Sequence, residues 1–158
     1  MPLKLLYDVS QLDANRPLFT IDDIRAINPH RYEFEQLTSI LFVSEEEKLV
    51  VGLRSVRTDE FWVRGHIPGR PIFPGVLMLE SAAQLCSFYT RKYVSSEGFF
   101  GFGGVDEVRF RGTVGPGDTM FLVARGKVIT PSRSQFETQG IVNDKVVFEA
   151  TILGLRIR

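Results

Sequence analysis

Two kinds of hydrophobic spacing alternate along the chain. In residues 38–43 and 48–57, β-branched and aromatic residues predict two strands, and the acidic run Ser44-Glu45-Glu46-Glu47 between them predicts a solvated turn. Residues 76–93 contain no glycine or proline and carry Val76, Leu77, Leu79, Ala82, Ala83, Cys86 and Tyr89 over much of a helical circumference. That spacing predicts one long helix, buried on most sides. Past Gly98 the pattern returns to strands, expected at residues 103–110, 119–129, 134–142 and 145–155. Gly115-Pro116-Gly117-Asp118 and Asn143-Asp144 supply turns, the second suited to a tight hairpin. Earlier, Thr20 before Ile21-Asp22-Asp23 predicts an N-capped short helix that ends before Pro29 and places Ile24 and Ile27 on one face. One long helix followed by consecutive strands predicts an α+β fold with an antiparallel sheet wrapped around that helix, since a doubly wound sheet needs more crossover helices.

No repeat or long linker divides the sequence, so residues 1–158 are expected to form a single domain, with residues 1–20 as an N-terminal extension packed on its body. In that extension Leu3, Leu5 and Leu6 are apolar, whereas Asp13, Asn15 and Pro17 break any long element. A chain of 158 residues buries about 70% of its unfolded surface and needs no disulfide or metal to hold a core. A single cysteine, Cys86, excludes an internal disulfide, and two histidines give no zinc-ligand spacing, so no metal is expected. Nineteen Lys plus Arg balance nineteen Asp plus Glu, which removes any whole-molecule reason to expect nucleic acid or an anionic membrane as partner. No leader pattern and no long apolar run are present, so a cytoplasmic protein without membrane insertion is expected.

Candidate chemistry concentrates in residues 61–84. The stretch 61–74 holds Gly65, Pro68, Gly69, Pro71 and Pro74, too many breakers for regular structure, yet it is rich in apolar and aromatic side chains. It sets an imidazole, His66, in a stiff apolar loop, a Pro74-Gly75 bend at the helix start, and a carboxylate, Glu80, on an otherwise apolar helix. Each has a plainer reading: His66 as an ordinary hydrogen-bonded residue, Glu80 as a structural partner of the loop or of Gln84, Gly75 as a tight helix entry. Together they make an acid/base site. A neutral imidazole can take a proton from carbon, and a partly buried Glu can hold a proton for a leaving oxygen. The free Gly75 and Val76 amides at the helix N-terminus can hold a developing enolate oxygen, a donor typically worth about 3 kcal/mol in a transition state. The combination suits elimination of water next to a carbonyl.

The run from His66 through Gln84 closely resembles the β-hydroxyacyl-[acyl-carrier-protein] dehydratase family (FabZ-like), whose pattern reads H-F-P-G-x-P-x-x-P-G-V-L-x-x-E-x-x-A-Q. Further matches are Asn28-Pro29-His30-Arg31-Tyr32, Val105-Asp106-Glu107-Val108-Arg109-Phe110, Val114-Gly115-Pro116-Gly117-Asp118 and Lys145-Val146-Val147-Phe148-Glu149-Ala150, so that the resemblance spans residues 21–158. The resemblance implies a hotdog fold, a homodimer or a trimer of dimers, and a site in which the loop histidine acts with the helix glutamate of the neighbouring protomer. It implies that His66 removes the α-proton of a (3R)-3-hydroxyacyl thioester, Glu80 assists departure of the β-hydroxyl, and the Gly75 amide polarises the thioester carbonyl. The product would be a trans-2-enoyl thioester on acyl carrier protein, made in type II fatty acid synthesis without a diffusible cofactor. Glutamate rather than aspartate at position 80 favours plain dehydration over the related dehydratase/isomerase. Phe61, Trp62, Ile67, Ile72, Phe73 and Val76 are candidates for an acyl tunnel, or else padding of the core or interface. Arg64, Arg70, Arg91, Lys92, Arg109 and Arg111 are candidates for attracting an acidic carrier, or else solvated surface.

Three departures from the family pattern stand out. Glu33-Phe34-Glu35-Gln36-Leu37-Thr38 replaces a proline and an apolar run ending in aspartate, which is expected to alter the tunnel or the carrier-binding surface. Ile67 replaces a phenylalanine after the histidine, and the N-terminal extension is unusual. His30 is expected to be structural. The competing readings are a hotdog dehydratase or thioesterase of a specialised lipid or polyketide pathway, and a noncatalytic acyl-carrier-binding protein.

Overall fold

The computed structural model describes residues 3–157. Six strands, β1 (Ser39–Ser44), β2 (Leu49–Ser55), β3 (Phe99–Phe110), β4 (Thr119–Ile129), β5 (Arg133–Val142) and β6 (Lys145–Ile157), form one sheet in the order β1-β2-β4-β5-β6-β3. All neighbours pair antiparallel. Helix α1 (Ile21–Ile27) precedes the sheet, and α2 (Gly75–Tyr93) lies between β2 and β3. This is the α+β hotdog arrangement, a sheet curled around one long helix.

Local chemistry accounts for the elements. Thr20 and Asp23 exchange side-chain and backbone hydrogen bonds in a capping box that starts α1. Asn143 and Asp144 both take positive φ, 50° and 62°, as a two-residue turn between right-twisted strands requires. Helix α2 buries Ala82, Leu85 and Phe88 with no exposure at all. They join Val50, Leu122, Phe136 and Phe148 in the core that fills the concave face of the sheet. A helix apolar on most sides is stable only inside such a wrap, which is why its pattern lacks a polar stripe. None of the helices is long and apolar enough to cross a membrane.

The N-terminal segment packs against the outer face of the sheet, and its end pairs with edge strand β1 where Phe19 and Ile40 exchange backbone hydrogen bonds. Val9, 3% exposed, joins Leu49, Val51, Val123 and Ile141 in a second apolar cluster. Gln139 on β5 clamps the segment's backbone, accepting from Leu6 N–H at 2.8 Å and donating to the Lys4 carbonyl at 3.0 Å. Arg125 on β4 donates to the Leu6 carbonyl, and Tyr7 stacks on Phe42. The opposite feature is β3, at the end of the strand order, whose Phe99, Phe102, Val105 and Phe110 are all exposed.

Candidate active site

His66 sits in the irregular segment between β2 and α2, its main chain held by backbone hydrogen bonds. Its N–H donates to the Trp62 carbonyl at 2.8 Å, its carbonyl accepts from Ile72 N–H at 2.8 Å, and Phe73 N–H ties the loop to the Val114 carbonyl at 2.7 Å. The ring lies 2.7 Å from the Ile72 carbonyl through Nδ1. A carbonyl only accepts, so the neutral ring carries its hydrogen on Nδ1 and presents a lone pair at Nε2. His66 is exposed. A ring held this way is oriented, and Nε2 is the nitrogen that can accept a proton.

Pro74 caps α2 with extended backbone and no side-chain bond, and the first amides of the helix to be taken are those of Leu77 and Met78, by the Pro74 carbonyl. Gly75 and Val76 thus keep their N–H groups for a ligand, at the positive end of a helix of 19 residues. A Cβ at Gly75 would stand 2.9 Å from the Phe110 ring, so only glycine lets β3 approach the helix start this closely.

Glu80 lies one and a half turns further along α2, with a side chain 21% exposed. Gln84, one turn on, donates from Nε2 to Glu80 Oε1 at 2.8 Å and to the Phe34 carbonyl at 2.7 Å. Sequence reasoning gave His30 a structural role, yet its Nε2 stands 3.6 Å from Glu80 Oε1. Both groups border a pocket reaching between α2, β3 and β6, with Ala83, Cys86, Phe100, Ile152 and Gly154 on its walls. Burial pushes the Cys86 thiol up and leaves it no nucleophile. Burial also pulls the His30 ring down, Glu80 opposes it, and Arg31 and Arg91 reinforce it. His30 is expected to titrate below the 6.5 of a free imidazole when its ring signals are followed by NMR. A midpoint above that value would mean that the Glu80 carboxylate, not burial, governs the ring.

The remaining tunnel candidates divide. Phe61, Ile67 and Val76 are exposed and Ile72 is half-buried. Trp62 and Phe73, 4% and 1% exposed, face inward as core instead of lining an open wall. Their rings stack 5.3 Å apart, and the Arg54 guanidinium covers Phe73 at 4.8 Å. Glu60 accepts from the indole N–H and from Arg54 Nη1, which helps both groups to be buried in the stack, while Arg54 Nε has no hydrogen-bond partner among the described residues. Arg54 and Gln36 were not singled out for this. His66 and Glu80 share no hydrogen bond or ion pair within the chain among the described residues.

Comparisons with known proteins bear on the family and the fold. A family model for the FabA-like domain matches residues 28–151. The chain is 33% identical over 150 residues to the 3-hydroxyacyl-[acyl-carrier-protein] dehydratase FabZ of Escherichia coli O9:H4, covering 93% of this chain and 99% of that protein. It is 36% identical over 141 residues to the enzyme of the same name from Erwinia tasmaniensis, covering 87% and 93%. Among solved structures, the dehydratase heterocomplex ApeI:P from Xenorhabdus doucetiae matches with a TM-score of 0.73 at 17% identity, over 90% of this chain and 93% of that one. A sigma28-regulated virulence protein from Campylobacter jejuni matches with a TM-score of 0.67 at 15% identity, over 94% of each. At these identities the structures speak for the fold, while the family model and the two curated relatives show that the chain belongs to the FabA-like family of dehydratases.

Proposed function

We propose that this protein dehydrates (3R)-3-hydroxyacyl-[acyl-carrier-protein] to trans-2-enoyl-[acyl-carrier-protein] in type II fatty acid synthesis, in the cytoplasm. The observation that carries the reading is the His66 ring, pinned through Nδ1 to the Ile72 carbonyl with Nε2 free. His66 Nε2 takes the α-proton as the electron pair of that C–H bond moves to form the new double bond. The Gly75 N–H holds the thioester oxygen while charge develops on it. The β C–O bond breaks and the hydroxyl leaves as water with the proton held by Glu80. The proton on His66 returns to solvent and Glu80 is reprotonated, so the net change is loss of one water.

Because His66 and Glu80 of one chain do not meet, the working site pairs His66 of one protomer with Glu80 of its partner. The exposed apolar edge strand β3 supports this: an unpaired ladder carrying Phe99, Phe102 and Phe110 calls for a second copy. Phe61, Ile67, Ile72 and Val76 then become wall residues of a chain-binding cleft at the interface.

The test is direct. Purified protein is incubated with 3-hydroxyacyl-[acyl-carrier-protein] of several chain lengths, and the carrier is read by mass spectrometry. Loss of water from the acyl group is the expected result. Release of free acid would make the protein a thioesterase, and binding without either change would make it a carrier-binding protein.

A further inference from the structure

Behind the site, an unbroken chain of hydrogen bonds, buried at its centre, joins the histidine loop to the helix glutamate inside one protomer. At the loop end, the Trp62 carbonyl accepts the His66 N–H, and Trp62 Nε1 donates to Glu60 Oε1 at 3.1 Å. Glu60 pairs with Arg54, and the same guanidinium donates to Gln36 Oε1 at 2.8 Å. The Gln36 backbone N–H donates to Gln84 Oε1 at 2.9 Å, and Gln84 Nε2 donates to Glu80 Oε1 at 2.8 Å. Arg54, Gln36 and Gln84 are 2%, 1% and 3% exposed.

We propose that Gln36 is a positioning residue that sets both the His66 loop and the Glu80 carboxylate from one buried point. Its two hydrogen-bonding ends face opposite directions. The main-chain N–H admits only an oxygen, so it holds the Gln84 amide with its NH2 turned to Glu80. That engages Oε1 of Glu80 and leaves Oε2 as the oxygen free to hold the transferable proton. The side-chain oxygen accepts from Arg54 Nη2, and Nε2 donates to the Glu33 carbonyl at 3.1 Å. Gln36 therefore cannot shift toward one end without loosening the other, and a buried polar chain left partly satisfied is costly. The departure of residues 33–36 from the family pattern thus reaches the catalytic groups through the interior. In the dimer, His66 and Glu80 of one chain serve different sites, so this chain of bonds joins the two.

The kinetic part of the proposal rests on the dehydratase reading, and the spectroscopic part does not. The chain has two histidines, one at each end of the path: His66 on the loop, and His30 at 3.6 Å from Glu80. Gln36→Met keeps the backbone N–H and the side-chain length but removes the acceptor for Arg54. It is expected to shift the ring signals of both histidines in the assembled protein. It should lower kcat about tenfold with KM held within about twofold, as misplacement of reacting groups does. Gln36→Glu, which restores an acceptor toward Arg54, is expected to return both ring signals and most of kcat. Should Gln36→Met not fold, Arg54→Lys, which keeps the charge beside Glu60 but loses the forked donor, is expected to shift the distant His30 ring. Movement of one ring alone, or a kcat equal to wild type, overturns the proposal. A wild type with no dehydratase activity overturns the functional reading instead and leaves the ring shifts to decide this one.

Discussion

His66→Ala is expected to lower kcat for dehydration about a thousandfold, within the range that a positioned general base supplies. The ring is exposed and its one hydrogen bond among the described residues is from Nδ1 to the Ile72 carbonyl, so stability should fall by no more than about 1 kcal/mol. Steady-state rates on a 3-hydroxyacyl carrier substrate, with thermal melting as control, check both halves. A rate within tenfold of wild type in a folded variant would remove His66 from the chemistry. A collapse of both rate and fold would instead make the imidazole a loop brace.

Glu60→Ala should be the most damaging single change to stability, costing about 3–5 kcal/mol, because it strands a buried guanidinium. The side chains of Arg54 and Glu60 are 3% and 6% exposed. Without Glu60, Arg54 keeps only the Ser55 carbonyl and Gln36 Oε1 as acceptors. Urea unfolding of the assembled protein measures the loss. Removing both charges with Arg54→Met and Glu60→Leu together should cost much less than Glu60→Ala, since the pair also carries a large desolvation penalty. The pH dependence has a definite sign. Burial alone would raise the Glu60 carboxyl, but the Arg54 guanidinium, the Arg57 N–H and the Trp62 N–H outweigh it and hold it below the ordinary 4.5. Its contribution is therefore complete above that value and is lost as pH falls through the lower folded-state value. The gap between wild type and Glu60→Ala should narrow on acidification. A gap that stays constant below pH 4.5 would mean that Arg54 does not hold the carboxylate ionised.

Much of this was legible in the sequence because strand and helix periods are local. The hairpin over Asn143-Asp144, the capping box at Thr20 and the start of α2 needed only neighbouring residues. β3 begins at Phe99, four residues before the expected 103, and so takes in Gly101 as well as Gly103. They are places where β6 leans across the strand: a Cβ would come 2.5 Å from Ile157 Cδ1 at Gly101 and 2.9 Å from Leu155 Cγ at Gly103. The loop histidine and the helix glutamate stood out because breakers and a charge interrupt an apolar run. The path through Arg54 and Gln36 had no such signal. Its members lie on different elements, and two of its links, from His66 and from Gln36, are backbone N–H groups, which no side-chain pattern encodes. The polar character of residues 33–36 was visible as an oddity, but only the fold turns Gln36 inward. The inward stack of Trp62 and Phe73 has the same origin, since an aromatic in an irregular segment carries no period to say which way it faces.

The docked N-terminal segment also bears on the order in which the molecule assembles. Its bonds to Gln139 join residues 133 and 135 positions apart in sequence, and that to Arg125 spans 119. Contacts this remote carry a large loop-closure cost until the intervening chain is already compact. The outer face they grip exists only once β4 and β5 have paired, so the segment closes over a finished sheet. Contacts made after the rate-limiting step leave the folding rate alone and slow the return journey. The N-terminal segment is thus the last to lock, and it acts as a latch on unfolding.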